Sequence, residues 1–599
     1  MSHTFHIPVL GLCYSVDTPM KVAKFGISSV ASIVDDMLIE RMRKFHSEKR
    51  NKPFYSIETK EPDSRARRIM AYLNLMQKIV QEDFEILRDS PFEPLSDITR
   101  YFQLLPDTSE LKTRYREMLD EPDECIKSCL QQSLRRDITV GSIDVNIMSK
   151  VDKLNLSVDK EPLLDENSDA LSALRGFANS NLKSAVILSA GMNPRLYSYL
   201  EKFNCFLPDK EGRLEKKVIL KVSDFRSAYI QAKFLAKKGI WVSEFRIESG
   251  LNCGGHAFAT EGFLLGPILE EFKIRKEEMI AELFSIYQAG LEAKNIIIAV
   301  HPDMRISVQG GIGTAEENSF LLDYYHMDAT GWGSPFLLVP EVTNVDNETL
   351  LNLVQATNDD FYISGSSPLG IPFNNFKKSS AEKQRLERIE KGRPGSPCSK
   401  KFLVSNTEFT AEPICTASRE YQNLKIKQLK AEDLTEADFQ SRFDLIVEKI
   451  CLCEGLTTSA YRKNNMLKAK ENAAVAICPG PNVAYFSSIF TLDEMVKHIY
   501  GKLDLLPKTM RPNMFINELN LYIDYLKKDI ETHLNELSDK KAKYINKFKD
   551  QLQQGISYYK GLIPQLNNQT DSYLLKMKAE LLDAEQSLEK IWNKEGVLI

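Results

Sequence analysis

Apolar runs of strand length punctuate two parts of the chain, residues 7–34 and 184–365, with amphipathic stretches between them. Residues 7–12 are the first run and 27–34 the second. Asp17-Thr18-Pro19 opens a helix between them, with Thr18 as N-cap and Pro19 at the first position, and Gly26 ends it. Asp35-Asp36 opens the next helix. Runs at 186–191, 217–222 and 241–247 are each followed by a helical stretch, the longest at 268–293. Strand, loop and helix repeated in this order predict a parallel α/β sheet. Residues 296–300 and 306–308 both read as strands but lie too close in sequence for parallel neighbours, which need a crossover of about a dozen residues. One of the two is therefore a loop, a helix end or an antiparallel excursion. Residues 327–330 and 361–365 complete the set of strand candidates, and 368–376 reads as a loop.

The pattern breaks over residues 52–183, which are charged and mostly helical. Ile69, Tyr72, Leu73, Met76, Ile79 and Val80 share one face of a long helix there. This stretch is a helical insertion between early strands or a domain of its own. The α/β pattern, 1–51 and 184–376, brackets it. Residues 377–505 carry half of the cysteines. Residues 506–599 are helical, with Leu519, Ile523, Leu526, Ile530, Phe548 and Leu552 at helical spacing among Lys, Glu and Asp, a hairpin or short coiled coil that packs or oligomerises.

Charge narrows the classes of function. A formal net charge of −5 argues against a general nucleic-acid or membrane-surface binder. No apolar run reaches the roughly 18 residues that span a bilayer, and the first residues lack a charged n-region and a cleavable apolar segment, so a cytoplasmic location is expected. The ten cysteines are spread thinly, which favours free thiols or metal ligands over a disulfide framework.

Chemistry concentrates where strands end in glycine. Residues 305–308 lead into Gln309-Gly310-Gly311-Ile312-Gly313 and a helix that opens with Glu316 and Glu317; residues 327–330 lead into Gly331-Trp332-Gly333-Ser334. Paired glycine loops after late strands of a β/α barrel let backbone amides approach a phosphate, although glycines also serve tight turns alone. His256 follows the strand at 241–247 and Gly254-Gly255. An imidazole there can exchange a proton near neutral pH, or simply hydrogen-bond its own loop. Cys451 and Cys453, with Cys478 after them and Cys398 and Cys415 before, could ligate an iron–sulfur cluster or zinc. No C-x-x-C occurs and the spacing is irregular, so free buried thiols are the expectation.

Three motifs carry a resemblance to a known family: Cys253-Gly254-Gly255-His256, Gln309-Gly310-Gly311-Ile312 and Gly333-Ser334-Pro335-Phe336-Leu337. In this order at strand ends, they resemble the FMN-dependent nitronate monooxygenase (2-nitropropane dioxygenase-like) and enoyl-reductase superfamily, over residues 7–34 and 184–343. The resemblance implies a TIM-like (β/α)8 barrel and an FMN-dependent oxidoreductase. Gly310 and Gly311, following Gln309, would hold the FMN phosphate together with Gly333 and Ser334. Gly11, Leu12 and Cys13 would lie against the isoalloxazine, Lys221 near flavin N1, and His256 would be the acid/base. The substrate would be a small molecule or an acyl thioester, with NAD(P)H as a possible donor. The chain departs from the family pattern where Cys253 replaces the acidic residue before the glycines. The alternative is a non-catalytic scaffold, a degenerate barrel presenting its helical tail to a partner or a second copy.

Overall fold

In the computed structural model the described residues are 2–148, 152–155, 163–189, 191–254, 262–506, 510–533, 539–566 and 570–595. Eight parallel strands close a barrel: β1 (Phe5–Ile7), β2 (Ser28–Ser32), β3 (Ile143–Asn146), β4 (Ala185–Leu188), β5 (Lys217–Val222), β6 (Val242–Glu248), β7 (Arg305–Gln309) and β8 (Ala329–Gly331). β8 returns to β1, with Phe5 beside Thr330 and His6 beside Gly331. Helices follow most strands, so both faces of nearly every strand are buried, as an all-parallel sheet requires. The loop-to-helix turns use side-chain caps. Asp35 accepts from the amides of Met37 and Leu38 at 3.0 and 2.9 Å, and Thr314 from Glu317 at 3.2 Å.

Several expectations change. The first strand is Phe5–Ile7, and residues 8–17 are the loop after it, because Pro8 and Gly11 break the apolar run. The stretch 52–183 is not only an insertion: it contains β3, whose sequence IDVN carries two polar residues that face the barrel interior and so escapes an apolar search. The helices before β3 are the added part; the helix Asp169–Ala178 is the barrel's own, between β3 and β4. Residues 296–300 form a loop, and the strand is at 305–309. Residues 361–364 are not a barrel strand. They pair antiparallel with Phe373–Phe376, part of the stretch expected as loop, in a separate hairpin.

The tail forms three helices, Met514–His533, Asp539–Leu562 and Asp571–Glu595. They pack on one another and on the barrel helix Leu265–Glu292, where Tyr559 sits so close to Gly266 that an added Cβ would lie 2.4 Å from its ring. The apolar stripe of the tail is thus buried within the chain, with Leu519, Leu526, Phe548 and Leu552 at 1% exposure or less. No described helix is long and apolar enough to cross a membrane.

Candidate active site

Alternation along β6 sets the barrel interior. Glu244, Arg246 and Glu248 occupy every second position, and Arg246 is bonded to Glu244 at 2.9 Å and to Asp144 of β3 at 3.2 Å. Since β3 and β6 are not neighbours, Arg246 reaches across the barrel. Burial works against the charge of Glu244, but Arg246 and other cations outweigh it and hold the carboxyl down at about 2; burial wins at Asp144 and moves it up. His6, between these groups and Gln309, is pushed down to about 3 by burial and by Arg246, so it is neutral. The glycine at 331 makes room for it: an added Cβ would lie 2.9 Å from His6 Nε2 and 2.6 Å from Gln309 Cβ. Val30, Ala185, Ile187 and Ile219 fill the other side. A cavity of about 960 Å3 opens at the N-terminal end, lined by Asp144, Lys217, Glu244, Arg246 and Arg305 among others. It lies opposite the end where barrel enzymes do chemistry, so its size does not make it the active site.

At the C-terminal mouth, Glu248 is the organising carboxylate. It accepts from Lys221 at 3.1 Å, from Gln309 Nε2 at 2.8 Å and from the Asn252 side chain. Lys221 is therefore held at the end of β5, where the sequence placed it, and both partners remain partly open to the mouth.

The two glycine loops meet here. Gly310 and Gly311 have φ of +105° and +81°, which favours glycine at both positions. Their added Cβ atoms would press on Asn252 and Leu251, and that of Gly333 on Cys253 at 3.1 Å. Glycine thus lets the loops after β6, β7 and β8 pack on one another. The amides are a separate matter. The backbone N–H groups of Gly310, Gly311, Ile312, Gly333 and Ser334 donate to no acceptor among the described residues, and all but Gly333 belong to buried residues. Buried amides rarely go unpaired. An anion seated between the loops would pair them.

Parts of the C-terminal half close over this cradle. Asn482 donates to the Ile312 carbonyl at 2.9 Å, and Gly480 packs against Ser334 Oγ and the Leu251 and Asn252 carbonyls. The Gly254 amide donates to the Cys478 carbonyl at 3.0 Å, and Tyr14 donates to Ala476 at 2.7 Å. Residues 474–482 therefore form a strap across the mouth. Beside it Arg511 bonds Glu317 at 2.7 Å, Asn482 at 3.0 Å and the Gly311 carbonyl. Glu317 also accepts from the Gly313 and Met514 amides, at 2.9 and 2.7 Å. Glu518 of the tail clamps the two described ends of the β6 loop, accepting from Gly250 at 3.0 Å and Leu265 at 2.7 Å, and burial pushes its carboxyl up.

The expected site residues are partly brought together. Lys221, Gln309, Gly310, Gly311, Gly333 and Ser334 share the mouth. In the loop after β1, Gly11 packs on Tyr14, Leu12 is half-buried, and Cys13 is fully buried near Ala460, its thiol pushed up to about 12 by burial. A thiol so enclosed serves packing. His256 lies outside the described residues; Gly254, two residues before it, lies against the Gly11 amide. Sequence reasoning missed Glu248, Arg246, Arg511 and Glu518. The alternation of Glu244, Arg246 and Glu248 was visible along β6, but nothing local marks Arg511 or Glu518, which reach the mouth from more than 190 residues away in sequence.

No family model matches the chain, and no curated protein is similar to it at a significant level. Among solved structures, the enoyl reductase domain of MlnA from the macrolactin biosynthesis cluster of Bacillus amyloliquefaciens is 14% identical. That match covers 64% of this chain and 86% of the domain, with a TM-score of 0.32. Nitroalkane oxidase from Streptomyces ansochromogenes is 9% identical over 62% of this chain and 76% of its own, with a TM-score of 0.29. Likenesses this small leave the function to be argued from the chain's own residues.

Proposed function

We propose that this chain is an FMN-dependent oxidoreductase of the nitronate monooxygenase or enoyl reductase type. The observation that carries the reading is the set of five backbone amides without acceptors among the described residues, on two loops at the C-terminal ends of β7 and β8. These residues fit a single phosphate: the amides of Gly310, Gly311 and Ile312 on one side, and of Gly333 and Ser334 on the other, would hold it. FMN, when bound, would supply hydride transfer at N5. The protein's own part follows from its residues. Lys221, positioned by Glu248, places positive charge at the mouth, where it favours a reduced, anionic flavin. Glu518 fixes both ends of the loop that carries His256. His256 gives or takes the substrate proton. The strap at 474–482 excludes water from above the cradle. The donor set argues for a phosphate rather than a dinucleotide, because no GxGxxG follows the first strand.

The test is turnover. A nitronate with O2 and an enoyl thioester with NAD(P)H are each offered to the parent and to His256→Asn. The expected result is turnover of one class by the parent and a loss of about 10²–10⁴-fold in the variant, the usual contribution of a positioned acid/base. Equal rates would remove His256 from the mechanism. One observation favours a second reading, a barrel without turnover: the strap already packs on Ser334 through Gly480. Failure of the chain to bind flavin would leave that reading standing.

A further inference from the structure

The cavity at the N-terminal end of the barrel has a floor, a cover and walls that the flavin reading does not use. The floor is the interior network of Arg246, Glu244 and Asp144. Arg246 spends Nε on Glu244 at 2.9 Å and Nη2 on Asp144 at 3.2 Å. Its Nη1, in a residue 2% exposed, has no partner among the described residues, and neither has the Ser243 hydroxyl beside it on β6. Buried donors rarely go unpaired. An acceptor oxygen on this floor would pair them.

The loop between β4 and β5 folds back over the cavity as a hairpin. Pro208 and Leu214 form an antiparallel bridge. The Asp209 carboxylate closes the turn, accepting from the amides of Glu211 and Arg213 at 3.0 and 2.8 Å and from Arg213 Nε at 2.9 Å. Gly212 sets the tip at φ +79°, and its added Cβ would lie 3.9 Å from the Val300 carbonyl oxygen, in the loop before β7. The hairpin therefore reaches from the β5 edge of the barrel to the β7 edge. The loop it meets is itself fixed. Trp241 Nε1 donates to the Asp303 carbonyl at 3.2 Å, and the Trp241 ring stacks on His301 with centroids 5.9 Å apart.

Three kinds of side chain on these walls are left unspent. Lys183 and Lys217 stand at the starts of β4 and β5, held together by the Lys217 amide on the Ser184 carbonyl at 2.9 Å. Glu215 and Asp303 line the same cavity. All four are exposed, and none makes an ion pair among the described residues. Arg213, by contrast, is already taken by Asp209 and Glu211. Leu207, Pro208 and Leu214 add an apolar wall. Cations and acids balance around the cavity, so a dianion would find no excess of positive charge there. Its volume of about 960 Å3 is that of a small-molecule site.

We propose that this cavity binds a small zwitterion with an apolar side chain, of the amino-acid or dipeptide class. Lys183, Lys217 and the unpaired nitrogen of Arg246 meet its carboxylate. Asp303 and Glu215 meet its ammonium group, and Leu207, Pro208 and Leu214 take the side chain. The site is independent of the flavin reading, since it lies at the other end of the barrel from the glycine loops.

The experiment uses the full chain, with isothermal titration calorimetry and tryptophan fluorescence; Trp241 reports because it bonds to Asp303 on the wall. The probes are leucine, leucyl-leucine, glycine, N-acetylleucine, which lacks the ammonium group, and leucinamide, which lacks the carboxylate. Leucine or leucyl-leucine should bind saturably at one site per chain. Glycine and both blocked forms should bind at least about tenfold more weakly, the loss expected for one charged hydrogen bond or one buried side chain. Lys217→Gln and Asp303→Asn should each weaken the zwitterion by about the same factor, and both positions are exposed, so the fold is kept. The proposal is overturned if neither zwitterion binds, which would leave the cavity to water alone. It is equally overturned if the blocked forms bind as tightly, or if both variants keep the parent affinity. The comparison of blocked and unblocked probes is made on the parent chain and decides the matter even where a variant fails to fold.

Discussion

Arg511→Met tests whether the C-terminal half is built into the mouth or merely rests on it. Arg511 and Glu317 bond at 2.7 Å with side chains only 4% and 2% exposed. Removing one partner strands the other as a buried charge, which costs about 3–5 kcal/mol, far above the 0–1 of a surface pair. Met has a similar reach and keeps the packing, so the loss reports charge and hydrogen bonds, including those to Asn482 and the Gly311 carbonyl. Glu317→Gln should cost a similar amount, because its single amide oxygen can accept from Gly313 or from Met514 but not from both, and Arg511 is left without its carboxylate. In the double variant no charge is stranded, so its cost should fall short of the sum of the single costs by at least about 2 kcal/mol. Urea unfolding followed by tryptophan fluorescence, alongside far-UV circular dichroism, supplies the cycle; Trp332 lies fully buried in the loop after β8. Flavin should also bind less tightly to Arg511→Met, since the carbonyl of Gly311 loses its anchor. A cost under about 1 kcal/mol with additive singles would refute the reasoning and make the pair incidental.

Other consequences are open to measurement. His3 and His6 are pushed down by burial to about 4 and about 3. Both are therefore neutral in the fold, while an unfolded chain protonates them below about 6.5. The unfolded state binds more protons, so their contribution is complete above about pH 6.5 and is lost as the pH falls. Between there and about pH 4 the pair should add up to about 2.7 kcal/mol per pH unit to the slope of stability, and His6→Asn should remove about half of it. Glu518→Ala unties both ends of the loop carrying His256; turnover should fall while the circular dichroism is kept, and unchanged kinetics would separate the clamp from catalysis. Gly254→Ala places a Cβ 2.4 Å from the Gly11 amide at φ +75°, so its melting temperature should drop by several degrees; an unshifted melt would mean that the loops after β1 and β6 are not in contact.

Much of the barrel was legible because strands buried on both faces are apolar runs, and helices announce themselves by caps such as Asp35 and Thr314. β3 was not, since Asp144 and Asn146 face a polar interior and leave only two apolar residues to see. The glycine loops were legible as loops, because positive φ at Gly310 and Gly311 demands the residue that was read there. What holds the mouth closed was not. Arg511, Asn482 and Glu518 are ordinary polar residues in sequence, and only folding brings them into hydrogen-bond contact with the loops after β6 and β7.

The central claim is that the loops after β7 and β8 hold one phosphate of a flavin. Heat release of the chromophore from the purified full chain, followed by mass spectrometry and quantitation against protein, tests it directly. FMN is expected, close to one per chain, either as purified or after reconstitution. Recovery of FAD, or no flavin even after incubation with FMN, would contradict it.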